Sequence, residues 1–249
     1  MEGIKDQSYF DNLININHKG LIQLEDAVTS NKVPKDRMIY VRYGIFSYAK
    51  NILYGRISRK DSKEKISSAY RKAVIYLEQS WDPERVKIKH EGELLNQYDK
   101  QSYVDMLWLI AIGIIIDIEK KDLEVLIKLI DRDSIRDYLY EYLIQYINPQ
   151  RENVQKESYF KFRGINEQFG KLKEIIQQEN NSDLEKELKE YLDKDWYSGF
   201  KDYSWYDSHK SNGFGFFGYW CFSIAAIVKI EDLNLDFFGS SPYFPKQLF

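Results

Sequence analysis

The first third of the chain has a helical pattern, because its apolar residues recur every three or four positions. One apolar stripe covers residues 10–28 and ends before Pro34, a residue that cannot continue a helix. A second stripe covers 39–57, and a third begins at a capping-box spacing in 61–64. The third stripe ends at 81–83, where proline disfavours helical geometry in the residue before it. The pattern predicts three successive helices.

The remainder of the chain continues in the same way, with two polar interruptions. Residues 82–99 are polar and predict a loop with about one helical turn, whereas 102–118 are apolar nearly all round, which is typical of a helix at the centre of a fold. Further helices are predicted at 121–131, 134–147, 158–179, 182–192 and 217–230, with an aromatic and acidic loop at 195–213. Strand signals are scarce. The sequence therefore predicts an all-α, compact, bundle-like fold with two helical sub-regions packed together.

The balance of charge narrows the classes of function. The 249 residues include 36 basic and 39 acidic side chains, for a net charge of −3. Proteins that bind nucleic acid directly usually carry a basic excess, because contacts to phosphate supply most of their affinity. The charge is also uneven: residues 1–118 carry 18 basic and 16 acidic side chains (+2), and residues 119–249 carry 18 and 23 (−5). We therefore expect no direct nucleic-acid partner, and we expect the second half to favour a basic partner.

Cysteine content and the longest apolar run argue against a secreted or membrane protein. Cys221 is the only cysteine, so an internal disulfide and a cysteine-based zinc site are both excluded. The N-terminus lacks the pattern of a secretory signal. The longest apolar run, 107–116, is about half the length that crosses a bilayer. We expect a soluble cytoplasmic protein that does not contact membranes.

Two local patterns in the second half suggest chemistry, and neither is specific. Residues 213–218 match the Gly-x-Gly-x-x-Gly dinucleotide fingerprint, but they follow a polar loop instead of the buried strand that this motif requires. These glycines are therefore interpreted as structural. Asp207 and His209 lie near several serines and leave a hydrolase open as an alternative. In the first half of the chain, His90 with Glu91 and Glu93 lacks the paired histidines of a helical metal site. Taken together, these patterns predict no catalytic residue, no metal and no cofactor.

The most unusual composition lies in residues 183–207. Eight acidic residues are accompanied by four lysines there, and seven aromatic residues are interleaved with them. This pattern is compatible with a charged helix whose following loop covers the core with aromatic rings. It is equally compatible with a protein-binding surface, in which aromatic anchors are surrounded by acids that attract a basic partner.

The C-terminal part of the chain carries motifs that resemble a known family. Residues 218–230 are Gly-Tyr-Trp-Cys-Phe-Ser-Ile-Ala-Ala-Ile-Val-Lys-Ile, and residues 241–248 are Ser-Pro-Tyr-Phe-Pro-Lys-Gln-Leu. They resemble the Gly-Tyr-Trp-x-Phe-Glu-x-Ala-Ala and Pro-Tyr-Tyr-Pro motifs of the PoNi immunity proteins, with Ser223 in place of the usual acid and Phe244 in place of the second tyrosine. The N-terminal half is similar to the partner domain of that family in three segments, at 9–10, 37–54 and 69–73.

The resemblance implies a helical cytosolic protein without enzymatic activity that binds a cognate PoNe-type DNase toxin stoichiometrically and neutralises it. Such toxins are delivered into competing bacteria by specialised secretion systems, and the immunity protein keeps the producing cell from cutting its own DNA. No catalytic residues come with the resemblance. Residues 1–118 and 119–249 correspond to its N-terminal and C-terminal regions, and the oligomeric state stays open.

The basic cleft expected of a nuclease gives the acidic segment a specific role in this hypothesis. An inhibitor that carries acids and aromatic rings can fill such a cleft and exclude DNA by charge and by shape. The residues expected to contact the toxin are Asp193, Asp195, Trp196, Tyr197, Asp202, Trp205, Tyr206 and Asp207. The alternatives are a hydrolase centred on Asp207 and His209, and a helical regulatory or nucleic-acid-binding module.

Overall fold

Three long helices near the N-terminus lie side by side in chain order. The computed structural model describes residues 4–151, 166–178 and 182–249, and these helices are α1 (Gln7–Thr29), α2 (Met38–Ser58) and α3 (Lys63–Ser80). Helix α2 packs against both of its neighbours. Helix α1 is capped by Asp6, whose carboxylate accepts a hydrogen bond from the Tyr9 amide at 2.8 Å. The three helices predicted from the apolar spacing are confirmed, with small shifts at their ends.

The segment after α3 is not the loop predicted for residues 82–99. A one-turn helix, α4 (Pro83–Val86), leads into an antiparallel hairpin of β1 (Lys87–His90) and β2 (Glu93–Tyr98). Residues 91–92 form the turn, and both have positive φ (50° and 89°), as the favoured two-residue hairpin turn requires. Because the hairpin is small, the predicted all-α class is confirmed.

The centre of the fold is α5 (Lys100–Ile115), which the sequence predicts from its apolar character on all sides. Every residue of this helix from Ser102 onward is buried. Its main partner is α10 (Phe222–Ile230), whose first seven residues are also buried. Because α5 and α10 come from opposite halves of the chain, the two halves share one apolar core. The division of the chain between residues 118 and 119 stays a prediction.

Shorter helices surround this centre. They are α6 (Lys120–Arg132), α7 (Tyr138–Ile147), α8 (Asn166–Ile176), α9 (Leu184–Glu190) and α11 (Leu235–Gly239). Helix α9 continues directly into a short π-helix, Tyr191–Trp196. The helices predicted between 121 and 192 are confirmed with shifted ends, except that residues 158–165 and 179 of the helix predicted at 158–179 lie outside the described residues.

The helix predicted at 217–230 begins later, at Phe222, because the residues before it form no regular structure. Gly218 has a φ of +92°, and a Cβ atom at this position would lie 2.1 Å from the Trp220 indole nitrogen. Both features require glycine. The segment 213–218 follows turns and not a strand, so its structural interpretation agrees with the position of Gly218.

Candidate protein-binding surface

The two tryptophans predicted as surface anchors lie in the core. The exposed fraction is 0% for Trp196 and 6% for Trp205. Their ring centroids lie 6.1 and 5.9 Å from that of Trp108 on the central helix, and Trp196 Nε1 donates a hydrogen bond to the Tyr219 carbonyl at 3.0 Å. Trp196 and Trp205 are therefore wrong as contact residues. Burial of such large rings against one another is favourable and draws the segment inward at these positions.

The π-helix explains why the acids of this segment stay outside. Tyr191 and Trp196 are five positions apart, which is the repeat of π-helical hydrogen bonds, and both are buried. Asp193 and Asp195 lie between them along the chain; Asp193 is exposed and Asp195 is partly exposed. After the following turn Asp202 is exposed as well. The predicted acids therefore lie at the surface, whereas the tryptophans are buried.

Three tyrosines form a stack at the surface. Tyr197 lies between Tyr206 and Tyr243, with ring centroids 4.4 and 5.6 Å away and interplanar angles of 18° and 14°. All three side chains are partly exposed. Burial, Tyr206 and Asp193 raise the pKa of Tyr243, so its hydroxyl is uncharged and Asp193 lies near the rings. We refer to Tyr197, Tyr206 and Tyr243 as the tyrosine stack.

Tyr243 is the member of the tyrosine stack that sequence reasoning missed. It belongs to the closing Ser-Pro-Tyr-Phe-Pro segment, which the sequence alone marks only as a family-like motif. Its carbonyl accepts a hydrogen bond from the Cys221 amide at 2.8 Å, which ties the closing segment to the start of α10. Tyr219, close to that start, packs its ring 4.6 Å from Tyr197. Segments far apart in the chain thus complete the stack, and no local pattern reveals such a contact.

Asp207 fixes the central ring of the stack. The Tyr197 hydroxyl donates to Asp207 Oδ1 at 2.8 Å and accepts from the Asp207 amide at 3.2 Å. Lys210 Nζ donates to the other carboxylate oxygen at 2.7 Å. The bonds from Lys210 and Tyr197 lower the pKa of Asp207, so its carboxylate is charged at neutral pH. Burial and the bond to Asp207 raise the pKa of Tyr197, so its hydroxyl stays protonated.

The remaining acids differ in how far they are already neutralised. Asp193 forms an ion pair with Lys189, and Asp195 forms one with Lys171 at 2.5 Å. Within the described residues, no ion pair is formed by Asp202. The acid–tyrosine surface is defined as the tyrosine stack together with Asp193, Asp195, Asp202 and Asp207.

Two family models together cover almost the whole chain. The model of the N-terminal region of the PoNe immunity protein (PoNi) matches residues 3–128, and the model of the C-terminal region of PoNe immunity proteins matches residues 135–248. This chain belongs to the PoNe immunity protein family. The resemblance seen in the sequence motifs is thereby confirmed. No curated protein and no solved structure matches the chain.

The family match assigns the acid–tyrosine surface to one region of this PoNe immunity protein. All of its residues lie within 135–248, the range of the C-terminal model. The motif residues 218–230 and 241–248 lie in the same range. Tyr243 is part of the surface, and the hydrogen bond from the Cys221 amide to its carbonyl ties the closing segment to the start of α10. The surface is therefore built on the part of the chain that carries the family motifs.

The geometry around His209 does not support the hydrolase alternative. Its Nδ1 atom lies 2.6 Å from the Tyr219 hydroxyl oxygen, and its amide donates to the same oxygen at 3.2 Å. The Asp207 carboxylate is bonded to Tyr197 and Lys210 instead. A catalytic histidine needs a carboxylate that orients it and a nucleophile within reach. Among the described residues, His209 has neither contact.

Metal sites and membrane spans are two further features that can accompany a functional surface. Residues 4–151, 166–178 and 182–249 contain no group of three or more His, Cys, Asp or Glu side chains placed to hold a metal ion. In those same ranges, every helix is too short or too polar to cross a bilayer.

Proposed function

We propose that this protein is a non-enzymatic inhibitor that binds a cognate PoNe-type DNase toxin stoichiometrically in the cytoplasm of the producing cell. The observation that carries the proposal is the match of both PoNi family models, at residues 3–128 and 135–248. An immunity protein against a DNase must act where the DNA of the cell lies. Binding is sufficient for protection, because a partner in excess over its dissociation constant removes free toxin by mass action.

The charge of the acid–tyrosine surface supports binding to such a toxin. A DNase attracts a polyanion, so its active cleft is expected to be basic. Asp202 offers a carboxylate without an ion pair in the described structure. Asp195 and Asp207 pair with exposed lysines, and a basic partner can replace these because surface pairs contribute only about 0–1 kcal/mol. The lysine paired with Asp193 is largely buried. Complementary charge of this kind accelerates association and favours a basic partner over others.

The tyrosine stack supplies contact area that loses little freedom on binding. Tyrosine and arginine are enriched among the residues that dominate binding energy, and a guanidinium gains cation–π attraction over a tyrosine ring. Tyr197 is already held by Asp207 and by its two stacked neighbours. Less side-chain entropy is therefore lost when a partner binds. We expect arginine and lysine side chains of the toxin to contact Tyr206 and Tyr243.

The proposed contact residues differ from the set predicted from the sequence. They are Asp193, Asp195, Tyr197, Asp202, Tyr206, Tyr243 and Asp207. Trp196 and Trp205 have a positioning role instead, because their packing on Trp108 anchors the segment that carries the acids.

Occupation of the active cleft is the proposed mechanism of inhibition. The carboxylates compete with DNA phosphates for the same basic side chains, and the tyrosine rings fill space that the duplex would need. Salt screens exposed charges beyond about 8–10 Å at physiological ionic strength, so association should slow as salt concentration rises.

The proposal is tested by co-expressing the cognate toxin with this protein in a sensitive bacterium. We expect growth, intact chromosomal DNA and co-purification of a complex with fixed stoichiometry. A catalytically inactive toxin controls for the burden of expression. Cell death in the presence of folded protein would contradict the proposal, and so would protection without a detectable complex.

A further inference from the structure

An open groove runs between α1 and α3, above α2. It forms because α1 and α3 each pack against α2 and leave a gap between themselves. Its volume is about 410 Å³, within the range of about 300–1,000 Å³ typical of small-ligand pockets. All of its lining residues belong to these three helices, so the groove is separate from the acid–tyrosine surface.

The floor and lower walls of the groove are apolar. Ala49 and Ile52 of α2 form the floor, and Leu21 of α1 and Ala69 of α3 flank it; all four are buried. The two alanines leave the space that larger side chains would fill. Ile22 at the edge is 53% exposed, and a ligand in the groove would cover part of that apolar area, which is favourable in water.

One end of the groove is closed by a bridge between its walls. The Tyr76 hydroxyl on α3 donates a hydrogen bond to Glu25 on α1, and the lining ends at these two residues. From Lys65 to Tyr76 the α3 wall is roughly 16 Å long, at 1.5 Å per residue. A long partner helix would need both ends to be open. The groove therefore suits a short ligand that enters from the other end.

The open end is lined with basic side chains. His18 on α1, Arg56 on α2 and Lys65 on α3 lie there, with Lys72 further along the α3 wall. Burial, Arg56 and Lys72 lower the pKa of His18, as positive potential in the groove requires. Within the described residues, neither Lys65 nor Lys72 forms an ion pair.

Three carboxylates lie in or beside the groove, and each is engaged by a partner other than Lys65 and Lys72. Glu25 lies at the closed end of the groove. Asp61 pairs with Arg56 at 2.7 Å, so Lys65 and Lys72 are the unpaired positive charges of the groove in the described part of the chain. Glu64 lines the open end from the first turn of α3, where bonds with its own backbone amide and with Ser62 lower its pKa. Its carboxylate is therefore directed at the start of the helix.

We propose that the groove binds a small amphipathic anion with the chemistry of a free medium-chain fatty acid. The carboxylate lies at the open end beside Lys65, and the alkyl chain runs past Lys72 and over Ile52 and Ala49 towards the closed end. Positive charge at the mouth, an apolar floor and a blind end together match this occupant. The site is independent of the proposed toxin interface, because no residue is shared between them.

Binding of dodecanoate to the full chain tests the proposal, measured by calorimetry and by displacement of the fluorescent anion anilinonaphthalene sulfonate. We expect one saturable site. Lys65→Glu combined with Lys72→Glu should raise the dissociation constant about tenfold or more, because hydrogen bonds to a charged group are lost. The matched control is Lys19→Glu, an exposed lysine on α1 outside the lining, and it should leave the affinity unchanged. Circular dichroism confirms that both variants are folded.

Four results would overturn the proposal. The first is the absence of saturable dodecanoate binding, and the second is equal affinity of the wild-type protein and the Lys65→Glu, Lys72→Glu variant. The third is binding to phosphatidylglycerol vesicles without binding to dodecanoate, which would identify a lipid surface as the partner. Loss of toxin binding in this variant, with no dodecanoate binding by the wild type, would likewise overturn it and assign the groove to a protein interface.

Discussion

Lys50 on α2 donates a hydrogen bond to Asp105 on α5 at 2.7 Å, with exposed side-chain fractions of only 10% and 1%. The same carboxylate accepts hydrogen bonds from Tyr43 and from Gln101. The pair ties the N-terminal helices to the central helix of the core. A buried ion pair is tolerated only while both charges are present, because each charge alone is costly to bury.

Removal of one member of this pair should strongly destabilise the protein. Lys50→Met leaves Asp105 buried without its counter-ion, and we expect a loss of about 3–5 kcal/mol in the free energy of unfolding. The double variant Lys50→Met, Asp105→Leu should recover part of that loss, since no buried charge remains. Urea denaturation followed by tryptophan fluorescence measures both. A loss below about 1 kcal/mol for Lys50→Met would show that the pair is not buried in solution.

Gly218 should not tolerate a side chain. Gly218 has a positive φ, and a Cβ atom there would lie 2.1 Å from the Trp220 indole. We therefore expect Gly218→Ala to lower the free energy of unfolding by about 2 kcal/mol or more. Gly215→Ala is the matched control, because its Cβ would lie 3.9 Å from the nearest atom. That change should stay within about 0.5 kcal/mol. Thermal unfolding compares the two, and equal stability would disprove the requirement for glycine at 218.

Asp61 contributes to the stability of the protein in a way that depends on pH. Arg59 and Arg56 donate to its carboxylate at 2.6 and 2.7 Å. Burial alone would raise the pKa of Asp61, but the bonds from the two arginines outweigh it and bring the pKa below the ordinary 3.8. Because the folded state has the lower pKa, the contribution is fully present above the ordinary value. It is lost as the pH falls through the folded value.

Asp61→Asn should therefore lower the free energy of unfolding at neutral pH and lower it much less in strong acid, where the wild-type carboxylate is itself protonated. Denaturation at several pH values measures the difference between the two proteins. Asp36→Asn, at an exposed position, is the control and should show no such convergence. A difference that stays constant from neutral pH to strong acid would contradict the role given to Asp61.

Two changes at the acid–tyrosine surface should weaken toxin binding and leave the fold intact. We expect Tyr206→Ala and Asp202→Lys each to raise the dissociation constant of the toxin complex about tenfold or more, because they remove a contact ring and reverse a steering charge. Biolayer interferometry gives the constants, and thermal unfolding checks stability. Tyr146→Ala is the control, since Tyr146 is exposed on α7 outside this surface. Equal affinity of all three variants would remove the acid–tyrosine surface from the interface.

The core helices could be predicted because the buried face of a helix needs apolar residues at every third or fourth position. Helix α5 is apolar on nearly every side, and every residue from Ser102 onward is buried. The hairpin at 87–98 has no such pattern. Strand β1 is Lys-Ile-Lys-His, and Glu91 in the turn of the hairpin adopts positive φ although it is not a glycine. Strand pairing there depends on contacts that apolar periodicity does not encode.

The sequence predicts which segment carries the candidate surface, but not which side chains of that segment are exposed. Composition identifies the acidic and aromatic region, but the choice of which rings turn inward depends on packing against α5. Trp196 and Trp205 find space beside Trp108, whereas Tyr206 stays at the surface. Tyr243 reaches the stack from the closing segment, and a contact over such a distance in sequence has no local signal.

The most direct measurement is DNA cleavage by the purified cognate toxin as this protein is titrated in. We predict that cleavage falls in proportion to the protein added and reaches zero at a fixed molar ratio, because each inhibitor molecule occupies one toxin. Undiminished cleavage at a molar excess of folded protein would contradict stoichiometric binding. Complete loss of cleavage at a small fraction of the toxin concentration would contradict it as well, since only a catalyst acts on many toxin molecules in turn.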